Sequence, residues 1–366
     1  MARAGQLGQV AWTVQNIMKC ILHIGTEKTG TTSFQTHMAS HRRQLAALGV
    51  LYPKSLGSVN HRTITVAAAE PGKANATFEG IGLETVESHA EFIARLDERF
   101  RAELAAHSGL SLCLISSEHL HSRLKTLDDL SRLRAFLNAH FPEIIVYLHL
   151  RPQVDMMVSL ASTRSRRGRF LSEEFFSHPT EPESYFDYLD LVTKWQTVFG
   201  AAALRIVPFR REPDIGRRIF ADLNLDLTGL SPIVRSNEAI DIKMICMINA
   251  IALSGRKVRL PLRFINQFDL TEPLSLSRAR ARDFQNRHLA TNARLLVRVP
   301  NLLPEDLEPD WNRYPEQGNE HMLSRPCDFG IAVSDLASAY VAALAKSKPK
   351  PPPRKHRFRW LRSILG

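Results

Sequence analysis

The sequence predicts an α/β fold: a doubly wound parallel sheet with helices on both faces, followed by a mostly helical C-terminal part. Short apolar runs that suit strands alternate with longer segments of helical periodicity from residue 20 to residue 208. A Gly- and Thr-rich turn follows the first of these runs. The chain has 366 residues, of which 44% are hydrophobic, so it can bury the core of one large α/β domain.

The strands and helices alternate regularly along the chain. Apolar and β-branched runs predict strands over 20–25, 50–53, 111–116, 144–148 and 204–208. Apolar residues at helical spacing predict helices over 30–48, 84–107, 124–139, the segment after Pro152, and 185–199, with mostly helical structure beyond 213. Residues 54–82 carry no clear pattern. His61 and Arg62 within them could reach a site, but we expect a surface pair. Ligands of such a fold bind at the carboxyl ends of its strands.

The composition divides the chain into three parts. Residues 1–19 form an N-terminal extension without the continuous apolar run of a signal peptide, residues 20–345 form the α/β domain, and residues 346–366 form a tail. No apolar run is long enough to span a bilayer. The four cysteines are far apart, and those in predicted strands suit small core residues of a reducing compartment. We therefore expect a cytoplasmic protein.

The tail accounts for most of the net charge of +11. It contains eight cations and no acid, so the rest of the chain carries about +3. Its prolines favour an extended spacer, and its last residues mix cations with large apolar side chains. Such a tail is either solvated and disordered or makes peripheral contact with an anionic membrane, which would place the protein at the inner membrane face.

The turn after the first strand has the composition of a phosphate-binding loop. Its backbone N–H groups and the N-terminus of the next helix favour an anion, and a lysine and several hydroxyl groups add donors. We predict nucleotide contacts from Gly25, Lys28, Thr29, Gly30, Thr31, Thr32 and Ser33. A Thr/Gly-rich turn without function is the alternative.

The loop differs from the regular ATP- or GTP-binding pattern G-x-x-x-x-G-K-[ST]. Gly25 and Gly30 fit this pattern, but Thr31 occupies the position of the lysine, and Lys28 lies inside the loop instead. Lys-Thr-Gly-Thr-Thr-Ser resembles the 5′-phosphosulfate loop of the sulfotransferases, which bind 3′-phosphoadenosine 5′-phosphosulfate (PAPS). This resemblance implies a fold of P-loop/sulfotransferase type.

A second motif lies at the end of the fourth predicted strand. Arg151 precedes Pro152, and Ser159 follows Arg151 by eight residues. Sulfotransferases place an Arg and a Ser at this spacing, where both bind the 3′-phosphate of the nucleotide. A guanidinium group offers forked donors to a phosphate, and a helical serine adds a hydroxyl group.

Further along the chain, Asn312-Arg313-Tyr314 resembles a stretch of bacterial sulfotransferases.

The third predicted strand ends in Ser116-Ser117-Glu118-His119. Transfer of a sulfuryl group to a hydroxyl group needs a base for the acceptor proton, and sulfotransferases use either a His or a Glu. Glu118 fits the carboxylate branch and His119 the imidazole branch; we favour Glu118. Adjacent residues on an extended strand point to opposite faces, so we expect only one of the two to face the site. The pair could instead cap the following helix.

The resemblance implies a PAPS-dependent sulfotransferase that needs no metal. We expect in-line transfer of the sulfuryl group to a hydroxyl or amine acceptor, with Lys28 as a catalytic residue beside the base. The acceptor would be a carbohydrate or glycolipid, or another lipid or small molecule, and no nucleic acid is expected as a partner. The alternatives are a P-loop nucleotide kinase and a non-catalytic protein that binds PAPS or glycans.

Overall fold

The computed structural model describes residues 18–73, 83, 85–226, 230, 233, 240–253, 255 and 272–329. Most of the N-terminal extension and the whole basic tail lie outside these residues, so their predictions stand as made. Five strands form one parallel sheet with the order β2-β3-β1-β4-β5. The strands are β1 (Lys19–His23), β2 (Val50–Leu51), β3 (Leu112–Ser116), β4 (Ile144–Leu150) and β5 (Leu204–Pro208).

Helices cover both faces of the sheet, and the C-terminal part that the structure describes contains helices and short 3-10 turns. The predicted doubly wound parallel sheet is thereby confirmed. The helices are α1 (Thr31–Ser40), α2 (Arg42–Ala47), α3 (Ile64–Ala68), α4 (Val86–Ala106), α5 (His119–Arg123), α6 (Leu127–Asn138), α7 (Gln153–Arg166), α8 (Tyr188–Phe199), α9 (Ile215–Asp222), α10 (Ile242–Leu253), α11 (Arg278–Asn286), α12 (Leu289–Arg298), α13 (Pro304–Leu307) and α14 (Pro326–Phe329).

Apolar side chains on the two faces of the sheet form two cores. Successive residues of a strand point to opposite faces, so Ile21 lies in one core and Leu22 in the other. The larger core contains Trp195 and Phe100, and the smaller one packs Phe34 of α1 against the sheet. The predicted core cysteines Cys20 and Cys113 are buried and face each other across β1 and β3.

Two helix predictions differ from the structure in their boundaries. The predicted helix over 30–48 is interrupted at His41, whose imidazole Nδ1 lies 2.8 Å from the carbonyl oxygen of His37 and competes for a backbone acceptor. The predicted helix over 124–139 begins at Leu127, where Thr126 caps it, and α5 precedes it. The predicted helix after Pro152 is confirmed as α7, which ends at Arg166.

Among the described residues, no helix is both long and apolar enough to cross a membrane.

Candidate active site

The loop between β1 and α1 is built around two glycines. Gly25 and Gly30 have φ angles of 90° and 83°, in the left-handed region that L-residues rarely adopt. A side chain at Gly25 would also crowd Glu118, because its Cβ would lie 3.2 Å from the Glu118 Cβ. The glycine therefore lets the loop backbone pass directly against the predicted base.

The hydroxyl groups of the loop have different surroundings. The buried Thr29 donates to the carbonyl oxygen of Thr26 at 2.7 Å, which holds the turn closed. Thr31 and Ser33 are buried on the first turn of α1, whereas Thr32 is exposed. The predicted donors thus include one hydroxyl that stabilises the loop and others at the helix N-terminus, where an anion is favoured.

The structure brings the two predicted nucleotide motifs together. Arg151 Nη1 donates to the carbonyl oxygen of Lys28 at 2.5 Å. Lys28 Nζ in turn contacts the hydroxyl group of Thr163, which donates to the carbonyl oxygen of Ser159 at 3.2 Å. A continuous chain of polar contacts therefore runs from the loop to the end of β4 and along α7.

Cations surround the Lys28 ammonium group. Burial lowers the pKa of Lys28 to about 8; Glu27 raises this pKa, and Arg167, Arg151 and Arg166 lower it further. A buried ammonium group crowded by guanidinium groups is stabilised by an incoming anion. The loop therefore has the electrostatics of an anion site.

A second group of side chains surrounds Arg151. Its guanidinium lies 5.6 Å from the ring centre of Phe209 and 3.8 Å from the carboxylate of Asp155. Asp155 also accepts a hydrogen bond from the Tyr314 hydroxyl at 2.6 Å and lies 3.7 Å from Arg313. The Arg151 Nε is buried and has no hydrogen-bond partner among the described residues. The described side chains therefore do not satisfy all donors of the buried guanidinium group.

Glu118 and His119 do not lie on a strand, so the expectation of opposite faces is wrong. Strand β3 ends at Ser116, and Glu118 has helical dihedral angles as the residue that precedes α5. Glu118 Oε2 accepts a hydrogen bond from Gln35 Nε2 at 2.7 Å. His119 Nδ1 lies 3.9 Å from a carboxylate oxygen of Glu27. The two candidates therefore have different partners within the same site.

Glu27 is a site residue that the sequence analysis missed. Tyr185 donates to its Oε2 at 2.8 Å, and its backbone N–H donates to His121 Nδ1 at 3.4 Å. Burial raises the pKa of Glu27, but the neighbouring Ser122, His121, Tyr185 and His119 side chains lower it, with a net decrease. The position of Glu27 next to Lys28 in the loop could have identified it from the sequence as a residue near the predicted site. Tyr185, which is far along the chain, carried no such signal.

His61 does not belong to a surface pair, which corrects the prediction for this residue. Its side chain is fully buried: Nδ1 accepts from the Ser116 N–H at 2.9 Å, and Nε2 lies 2.9 Å from the Pro53 carbonyl oxygen. Because a carbonyl oxygen only accepts, we assign the proton to Nε2. His61 thus fixes the end of β3, immediately before Glu118.

Among the described residues, no three His, Cys, Asp or Glu side chains group as metal ligands would. The chain matches no protein-family model and no curated protein. A search of solved structures finds a sulfotransferase from Alicyclobacillus acidocaldarius that is 18% identical and has a TM-score of 0.36. The match covers 65% of this chain and 96% of that one. So distant a likeness carries no argument about function.

Proposed function

We propose that this protein is a PAPS-dependent sulfotransferase. The observation that carries the proposal is the hydrogen bond from Arg151 to the Lys28 carbonyl oxygen, which joins the loop to the second motif. Each segment alone could be an ordinary turn or helix start. Together they place two cations at neighbouring strand ends, where a nucleotide with phosphates at both its 5′ and 3′ positions would need them.

Each part of the site has a proposed role. The N–H groups of loop 25–30, with Lys28 and the hydroxyl groups of Thr31, Thr32 and Ser33, hold the 5′-phosphosulfate. Arg151 and Ser159 hold the 3′-phosphate. The incompletely hydrogen-bonded guanidinium group of Arg151, which lies 5.6 Å from the ring centre of Phe209, supports this role.

The proposed reaction is an in-line displacement at sulfur. The acceptor oxygen or nitrogen attacks the sulfuryl sulfur, the bond from sulfur to the bridging phosphate oxygen breaks, and its electron pair stays on the departing adenosine 3′,5′-bisphosphate (PAP). Glu118 or His119 takes the proton of the acceptor, and Lys28 stabilises the charge on the bridging oxygen. Catalysis then depends on positioning and on charge neutralisation, as in phosphoryl transfer. We propose a carbohydrate or glycolipid as the acceptor.

Calorimetric titration with PAP, ADP and ATP in the absence of Mg²⁺ tests this function. We expect PAP to bind much more tightly than ADP. The Arg151→Ala variant should weaken PAP about 10- to 150-fold more than ADP, because only PAP loses the charge-assisted contacts of a 3′-phosphate, whereas both lose the hydrogen bond that holds the loop. The exposed Arg43→Ala is the matched control. Equal losses for PAP and ADP would remove the 3′-phosphate assignment, and Mg²⁺-dependent ATP binding would favour a kinase.

A further inference from the structure

Gln35 links the loop helix to the predicted base. It lies on α1, two residues after Ser33, and only 2% of its surface is exposed. Its Nε2 donates to Glu118 Oε2 at 2.7 Å, and the same nitrogen lies 3.2 Å from the Ser116 hydroxyl oxygen. A buried amide needs such partners, because leaving its donors unsatisfied would be destabilising.

The surroundings of Gln35 prevent this contact from shifting. The Ser116 hydroxyl oxygen lies 2.8 Å from His23 Nδ1, and His61 holds the Ser116 backbone through hydrogen bonds in both directions. The loop also passes close to Glu118, since a Cβ at Gly25 would lie 3.2 Å from the Glu118 Cβ. Glu118 is therefore held between α1, the end of β3 and the loop.

We propose that Gln35 is a positioning residue for Glu118 and that Glu118, rather than His119, is the base. This inference rests on the proposed sulfotransferase function. The Gln35 hydrogen bond occupies one carboxylate oxygen, and the second oxygen keeps its lone pairs for the acceptor proton. His119 Nδ1 lies 3.9 Å from the Glu27 carboxylate, beyond hydrogen-bonding distance, and has no hydrogen-bond partner among the described residues, so no such contact positions its imidazole. Precise placement of the base raises the rate of proton transfer without changing nucleotide affinity.

The test replaces Gln35 by methionine, which keeps the length of the side chain and removes its donor. Release of PAP from PAPS with water as the acceptor measures the reaction without requiring the natural acceptor. We expect kcat to fall about 10- to 100-fold, while the KM for PAPS and the affinity for PAP stay within about twofold. Gln44→Met on α2, an exposed glutamine, is the matched control and should behave as the wild type.

A double-mutant cycle separates positioning from a general structural effect. In the Glu118→Gln background, Gln35→Met should change kcat by less than about threefold, because the group that it positions is already lost. Full additivity, or a loss of PAP affinity as large as the loss of kcat, would overturn the inference. Circular dichroism verifies folding, and Gln35→Asn, whose amide is withdrawn by one methylene, repeats the test if the methionine variant is unfolded.

The outcomes distinguish this inference from the proposed function. A wild-type protein that binds PAP and consumes PAPS, with a Gln35→Met variant equally active, overturns the inference alone. A wild-type protein that neither binds PAP nor consumes PAPS overturns both.

Discussion

Lys28 is a single residue whose protonated form the folded protein disfavours and a bound anion would stabilise. Its lowered pKa means that the folded protein holds the protonated ammonium group at an energetic disadvantage, caused first by burial and then by Arg167, Arg151 and Arg166. An anion at the loop removes this disadvantage. The sequence could place Lys28 in the loop, but it could not identify the cations around it, because Arg166 at the end of α7 and Arg167 just after it lie more than 130 residues away.

Nucleotide binding should therefore be coupled to a proton. The pKa of free Lys28 is about 8 and should rise when an anion binds, so PAP binding should take up about half a proton at pH 8 and close to one proton at higher pH. As the pH rises above 8, PAP affinity should weaken by up to about tenfold per pH unit. Calorimetry in buffers of different ionisation enthalpy measures the uptake. Lys28→Met should abolish it, and Lys54→Met, at an exposed site, should not. Unchanged uptake in Lys28→Met would contradict this coupling.

The base is also testable by substitution. Glu118→Gln should keep its affinity for PAP and reduce the release of PAP from PAPS by about 10²- to 10⁴-fold, because the amide cannot accept the proton. His119→Ala should have a milder effect. Steady-state kinetics with water as the acceptor provides the comparison. An inactive His119 variant beside an active Glu118→Gln variant would reverse the assignment.

At the scale of elements, all five strands could be predicted from short apolar runs, and the breaks between helices could not. The apolar runs are bounded by glycine, proline or serine, which mark strand ends physically. The interruption at His41 depends on one imidazole and one carbonyl oxygen. Helix α3 is short and entirely buried, so it shows no amphipathic pattern that could reveal it.

The end of β3 depends on His61, a residue outside the strand. His61→Phe keeps a ring in the buried space but leaves the Ser116 N–H and the Pro53 carbonyl oxygen without their partner. We expect the free energy of unfolding to decrease by about 2 to 4 kcal/mol. Urea denaturation measures the change, with His107→Phe, an exposed position, as the control. A decrease no larger than that of the control would show that the two hydrogen bonds add little.

At the scale of the molecule, the strand order explains why distant motifs meet. β1 lies between β3 and β4 in the sheet, so the loop after β1 is flanked by Glu118 on one side and Arg151 on the other. This convergence follows from the doubly wound pattern and was predictable. The contact of Arg313 and Tyr314 with Asp155 was not, because it depends on the path of a long C-terminal segment that no local pattern determines.

Three histidines are buried in or beside the sheet: His23 on β1, His149 on β4 and His61 next to the end of β3. Their protonation should lower the free energy of unfolding in acid. Burial lowers the pKa of each, to about 3 for His61 and for His149. Neither ring nitrogen of His149 has a hydrogen-bond partner among the described residues. The unfolded chain regains a histidine pKa near 6.5, so it binds protons that the folded protein excludes.

The free energy of unfolding should therefore fall as the pH drops below about 6.5 towards 3, by about 1.4 kcal/mol per pH unit for each such histidine. Above pH 6.5 these groups should contribute no pH dependence. Urea denaturation between pH 4 and pH 6.5 gives the slope for the wild type, to which carboxylates also contribute. His149→Leu should reduce this slope by close to one proton, whatever its effect on stability at pH 7, and His107→Leu should not. An unchanged slope in His149→Leu would show that the buried imidazole is protonated in the folded protein.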